Sequence, residues 1–132
     1  MSEVKKINIA LLGLGTVGTG VYKVLKSQQE EMPCKIGAEL VIKKILVRNL
    51  EKAAAKVDDP SVLTNDWNEI IQDGEIEIVI EVMGGMEPAK TYMMQALAAG
   101  KNVVTANKDL VAVDGKELLD MAALNKKDFL FE

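Results

Sequence analysis

The segment Ile7 to Gly18, reading INIALLGLGTVG, restricts this chain more than any other. Ile7 to Leu12 is nearly all apolar, without the alternation of a strand that has one wet face. Such a run is expected where both faces of a sheet are covered, as in parallel sheets. From Thr16 to Gln29 the apolar residues Val17, Val21, Val24 and Leu25 recur at helical spacing. A buried strand, a glycine turn and a helix in that order open an α/β fold, because parallel strands need crossovers. The turn itself, Gly13-Leu14-Gly15-Thr16-Val17-Gly18, fits G-x-G-x-x-G. In that pattern the first glycine makes the tight turn, the second lets backbone approach a pyrophosphate, and the third lets helix and strand pack closely. Thr16 and Val17 open the helix, whose unpaired N–H groups and positive dipole end face the anion.

The pattern then repeats. Glu39 to Val47 is a second strand, interrupted by Lys43-Lys44, and Leu50 to Lys56 is a short helix. Val62 to Thr64 is a brief strand, and Asp66 with Glu69 forms a capping box for a helix over Trp67 to Gln72. Glu77 to Met83 leads into Gly84-Gly85, and Pro88 starts a helix over Ala89 to Ala99. Asn102 to Ala106 is a fifth strand, Lys116 to Asn125 a helix capped near Asp114, and Phe129 to Phe131 a sixth strand. The expected fold is therefore α/β, a doubly wound parallel six-stranded sheet of the Rossmann dinucleotide-binding type with strand order 3-2-1-4-5-6. At 132 residues it forms a single domain. The end at Glu132, at the sixth strand, reads as a domain cut from a longer protein.

Composition narrows the chemistry. No apolar stretch reaches the roughly 20 residues of a membrane span, and Met1 to Lys6 carries no signal-peptide pattern, so a cytoplasmic chain is expected. A net charge of −4 argues against a nucleic-acid partner. The single cysteine, Cys34, reads as incidental and supports no metal cluster. With no histidine in the chain, proton chemistry falls to Lys, Asp, Glu, Tyr or Cys.

The choice of dinucleotide turns on the end of the second strand. The fingerprint expects an acid about 20 residues past the glycines, on the ribose 2′-hydroxyl. Counting selects Glu39, but Glu39 begins the second strand, whereas the cofactor lies beyond the carboxyl ends of the strands. The strand instead ends at Arg48-Asn49, and Arg48 is the sole arginine among 16 basic residues. A guanidinium pairs bidentately with phosphate and stacks on adenine, so NADP is the expected preference, with NAD possible; Lys52 adds charge nearby.

Beyond the glycine turn, the Glu81-Val82-Met83-Gly84-Gly85 segment with Glu87-Pro88-Ala89, and above all Thr105-Ala106-Asn107-Lys108 followed by Leu110-Val111-Ala112, resemble the cofactor domain of homoserine dehydrogenases. The resemblance implies hydride transfer between a nicotinamide and L-aspartate 4-semialdehyde or L-homoserine, on the route to threonine, methionine and isoleucine. It implies that Lys108 is the catalytic lysine, stabilising charge on the carbonyl oxygen and supplying its proton. It implies further that Thr105 and Ala106 line the nicotinamide site and that Asn107 bonds the ribose or orients the lysine. Gly84 and Gly85 would let backbone near the cofactor's middle, while Met83 and Met86 pack. Glu132 matches the start of a segment contributing to a monovalent-cation site in the family, and no metal is assigned here. A second domain for substrate and dimerisation would follow, making the full-length enzyme a homo-oligomer with a small-molecule substrate and this part alone inactive. Two other readings remain: a different amino-acid or semialdehyde dehydrogenase, and a non-catalytic NAD(P)-sensing module.

Overall fold

A computed structural model of the protein describes residues 5–31 and 38–131. Cys34, Pro33, Gly37 and Glu132 lie outside the described residues. The elements run β1 (Lys5–Leu12), α1 (Thr16–Glu31), β2 (Ala38–Leu46), α2 (Leu50–Ala54), a 3-10 turn (Pro60–Val62), β3 (Leu63–Thr64), α3 (Asn68–Ile71), β4 (Ile76–Glu81), α4 (Ala89–Ala98), β5 (Asn102–Thr105), α5 (Lys108–Leu124) and β6 (Phe129–Phe131). All six strands are parallel, in the order β3-β2-β1-β4-β5-β6. The doubly wound sheet expected from the apolar runs is the observed one.

Two clusters cover the faces of this sheet. Leu11, Ile42 and Ile45 pack with Leu14, Tyr22 and Ala53 from the α1 and α2 side. On the other face Leu12, Val79 and Val103 meet Ile70, Met93, Leu97, Leu110 and Leu118 from α3, α4 and α5. Leu12, Met93, Leu97, Leu110 and Leu118 are wholly buried, and each such side chain contributes about 1.5–3 kcal/mol relative to leaving it in water. In α1 only part of the expected stripe is inside: Val21 and Leu25 pack, joined by Tyr22 from outside the stripe, while Val17 and Val24 are each 56% exposed.

The Lys43-Lys44 interruption of β2 is a β-bulge. Ile9 pairs Ile42 and Ala10 pairs Lys44, which leaves Lys43 as the extra residue. The bulge lets Ile42 and Ile45, three apart, share one face. It also frees Lys43 to reach Asp73 at 2.7 Å and Glu75 at 3.1 Å, while Lys44 meets Glu69.

Several boundaries differ from expectation. β4 stops at Glu81, so Met83 belongs to the turn that follows. The capping box before α3 is replaced by a relay. The Asp66 N–H donates to Thr64 Oγ1, and that hydroxyl donates to Glu69, while Asp66 Oδ1 accepts from Asn68 N. The largest correction concerns α5, which begins at Lys108 rather than Lys116. Its cap is Asn107, whose Oδ1 accepts from Leu110 N at 3.2 Å. Leu110, Gly115, Leu118 and Ala122 then form the buried stripe, so Gly115 is tolerated inside the helix. Asp114, expected as the cap, lies on the surface of α5 and with Glu117 holds Lys90 of α4.

Candidate functional site

The carboxyl ends of β1, β2, β4 and β5 share one edge of the sheet, as parallel pairing requires. At the first of these ends the chain turns through Gly13, with φ +104°, where any L side chain is strained. Gly13 N donates to Leu46 O at 2.9 Å, tying the turn to β2. At Gly18 a Cβ would collide with the Gly13 carbonyl, so α1 can lie this close to β1 only without a side chain there. A Cβ on Gly15 would meet nothing within 4 Å, so backbone faces open space at the point where the pattern requires a ligand. Thr16 and Val17 stand exposed in the first turn of α1, which contains no acidic residue. That helix end therefore presents amides with no intrahelical acceptor and an uncompensated positive dipole.

Beside the turn opens a groove of about 730 Å³ lined by Gly13, Gly15, Arg48, Lys52, Lys56 and Met83, among others. Arg48, just past β2, is exposed there, as its place at the strand end predicts. Glu39 pairs with Lys6 near the opposite end of β2, far along the strand from the groove. Lys56 is a residue that spacing did not single out: its Nζ donates to Leu14 O at 2.9 Å, which joins the segment after α2 to the glycine turn. Three cations thus stand among the lining residues, which include no Asp or Glu. An open glycine cradle at a bare helix end, with a cationic rim beyond, fits the phosphates of a dinucleotide. On the other side of the groove Tyr92 stacks on Trp67 with centroids 4.4 Å apart, and Trp67 Nε1 donates to Gln95 at 2.7 Å.

A second group of residues sits where β4 and β5 leave the sheet. Glu81 is wholly buried at the last position of β4. Its Oε2 accepts from Met83 N at 2.9 Å and Gly84 N at 3.1 Å, and its Oε1 accepts from the Thr105 hydroxyl. Thr105 Oγ1 in turn accepts from Asn107 N at 3.0 Å, and Asn107 Nδ2 donates to Gly85 O. Gly84 and Gly85 are exposed, with φ of +78° and +76°. The Glu87–Pro88 peptide that follows is cis. Glu87 accepts from the Thr91 hydroxyl and amide at the start of α4, and those bonds hold its carboxyl below the ordinary range.

Lys108 is the first residue of α5 and is exposed. The dipole there favours anions, as Asp109 beside it illustrates, so a lysine in this first turn stands against the local field. Ala106 is exposed between the buried Thr105 and Asn107. Both polar side-chain atoms of Asn107 are engaged within the protein, since Oδ1 caps α5 and Nδ2 holds the Gly85 carbonyl. The buried Thr105 hydroxyl is likewise engaged within the protein, by Glu81 and Asn107. Met83, read as packing, does touch the core but also lines the groove, whereas Met86 is exposed. Glu81 was missed as an organising residue; its only sequence signal is a carboxylate inside an apolar strand. Among the described residues no group of His, Cys, Asp and Glu is arranged to hold a metal ion, and no helix is long and apolar enough to cross a membrane.

Residues 13–132 match a family model described as the NAD-binding domain of homoserine dehydrogenase. The chain is 48% identical over 129 residues to the homoserine dehydrogenase of Bacillus subtilis, covering 97% of this chain and 30% of that protein. Against the homoserine dehydrogenase of Lactococcus lactis it is 49% identical over 120 residues, covering 88% and 28%. The chain thus spans less than a third of the length of these relatives. A crystal structure of Staphylococcus aureus homoserine dehydrogenase superposes with a TM-score of 0.90 at 45% identity, covering 97% of this chain and 33% of that one. A hyperthermophilic archaeal homoserine dehydrogenase mutant in complex with NADPH gives a TM-score of 0.76 at 25% identity, covering 96% and 44%.

Proposed function

The chain belongs to the homoserine dehydrogenase family, as its NAD-binding domain, and from that premise we propose that it is the cofactor-binding part of a cytoplasmic, NADP-preferring dehydrogenase acting on L-aspartate 4-semialdehyde and L-homoserine. The observation that carries this reading is the convergence of the open glycine turn, the Arg48 groove and Lys108 on one carboxyl edge of one parallel sheet. Gly13, Gly15, Thr16, Val17 and Gly18 hold the pyrophosphate. Arg48, with Lys52 and Lys56 behind it, takes the 2′-phosphate. Gly84, Gly85, Thr105, Ala106 and Asn107 form the backing of the nicotinamide end. A nicotinamide held there would supply the hydride that the aldehyde carbon takes up. Lys108 holds an ammonium at the carbonyl oxygen, where it stabilises negative charge and delivers a proton. The substrate's remaining contacts, and an oligomeric assembly, belong to the larger part of the relatives' length that this chain does not span.

Support for NADP over NAD comes from the three groove cations and from the archaeal relative, which was solved in complex with NADPH. Trp67, the single tryptophan, stacks on a groove residue and provides the readout. Titration of this chain with NADPH or NADH, followed by Trp67 emission, is expected to give tighter binding of NADPH. Arg48→Ala should weaken NADPH by about tenfold to 100-fold, the range of a lost charge-assisted hydrogen bond, and leave NADH nearly unchanged. Tighter binding of NADH by the unaltered chain would sink the preference.

A further inference from the structure

From the hydrogen bonds of Glu81, we infer that this buried carboxylate is a positioning residue for Lys108, acting through Thr105 and Asn107. The inference rests on the reading of Lys108 as the group that meets substrate oxygen. Burying a carboxylate is costly unless every lone pair finds a donor, and an apolar side chain suffices elsewhere in the same strands, as Val79 and Val103 do. Glu81 receives three donors, and all three come from chain leaving β4 and β5 at the functional edge. Two of them, Met83 N and Gly84 N, lie in a turn whose left-handed glycines take it out of regular pairing.

The third donor starts a relay that ends at the lysine. Because Thr105 Oγ1 accepts from Asn107 N, its own proton points to Glu81, which fixes the hydroxyl. Asn107 is thereby held with Nδ2 on the Gly85 carbonyl and Oδ1 on Leu110 N, which sets where α5 begins. Lys108 is the first residue of that helix. The Glu81 main chain adds to the link by accepting from Ala106 N at 3.3 Å. One side chain thus fixes the cofactor-side turn and the start of α5 against each other, and a misplacement of about 1 Å at such a centre can cost on the order of 100-fold in rate.

The test is a double-mutant cycle in the full-length enzyme, with kcat counted per site titrated by NADPH so that unfolded protein does not contribute. Glu81→Gln keeps the shape but turns an amide toward groups that need an acceptor. It is expected to lower kcat by about tenfold to 100-fold with the NADPH Kd held, since the phosphates rest on the glycine turn and Arg48. In a Lys108→Ala background the same substitution should cost nothing further, because the group being positioned is gone. A purely structural role would give the same loss in both backgrounds, and that result, or an unchanged kcat for Glu81→Gln alone, overturns the inference. Should Lys108→Ala by itself leave kcat intact, the reading of Lys108 falls instead. If Glu81→Gln does not fold, Thr105→Val removes the hydroxyl that joins Glu81 to Asn107, and kcat in the Lys108 and Lys108→Ala backgrounds is compared in the same way, with no expectation placed on the NADPH Kd because Thr105 backs the nicotinamide end.

Discussion

Lys108 shows how placement at a single residue can separate stability from activity. As an exposed cation in the first turn of α5 it opposes the helix dipole, an interaction of about 0.3–1 kcal/mol. Lysine and alanine differ little in helix propensity, so Lys108→Ala should stabilise the chain by that amount in urea unfolding while it removes turnover in the full-length enzyme. A destabilised Lys108→Ala chain would mean that the lysine has a structural partner. Lys108 was singled out in sequence by the resemblance of T-A-N-K, directly after an apolar strand, to the family's motif. The place of Glu81 was not legible, because the hydrogen bond from Thr105 that holds that carboxylate spans 24 residues and exists only once β4 and β5 are paired.

At the scale of elements, what could be read from sequence was what is local. β1, the glycine turn and α1 succeed one another within 27 residues, and their apolar runs, glycines and helical spacing carry the information by themselves. Arg48 was located correctly because the end of a strand, and not a count of residues, decides which side chain faces the groove. The start of α5 was misplaced because its cap, Asn107, lies inside the T-A-N-K motif, whose polar residues read as a site and not as a helix start. Asn107 serves both the helix and the turn, and its two hydrogen-bonding atoms can be separated by mutation. Asn107→Ala should cost about 1 kcal/mol of stability through the lost cap. Asn107→Asp keeps an acceptor for Leu110 N and loses only the donor to Gly85 O. Thermal unfolding of the two variants checks this: if both fell equally, the cap would not be the atom that matters.

Across the whole molecule the two ends of the sheet are built for different purposes. The carboxyl edge gathers exposed glycines, a cationic groove and a lysine against a helix dipole, none of which favours stability. Toward the amino edge the polar groups are paired. Asp73, in the turn before β4, receives Lys43 from the β2 bulge at 2.7 Å, and its main-chain oxygen accepts from the buried Lys101 at 2.6 Å. Burial pushes the Lys101 ammonium below the ordinary lysine range, while Asp73 lies below the ordinary carboxyl value of 3.8, chiefly through the hydrogen bond from Lys43. A carboxyl whose pKa is depressed by folding contributes stability that is complete above its unfolded value and is lost as pH falls through the folded one. The Lys43–Asp73 pair should therefore stabilise the chain at neutral pH, by at most about 1 kcal/mol for a partly exposed pair, begin to lose that contribution below pH about 4, and lose the rest only as pH falls through the depressed value of Asp73. Asp73→Asn retains an acceptor for Glu75 N but has no charge to titrate. Urea unfolding at stepped pH should then show the variant less stable at pH 7 and converging on the unaltered chain as acid is added. Curves that stay parallel throughout the acid limb, with no narrowing as pH falls below 3.8, would assign the difference to packing rather than to the ion pair.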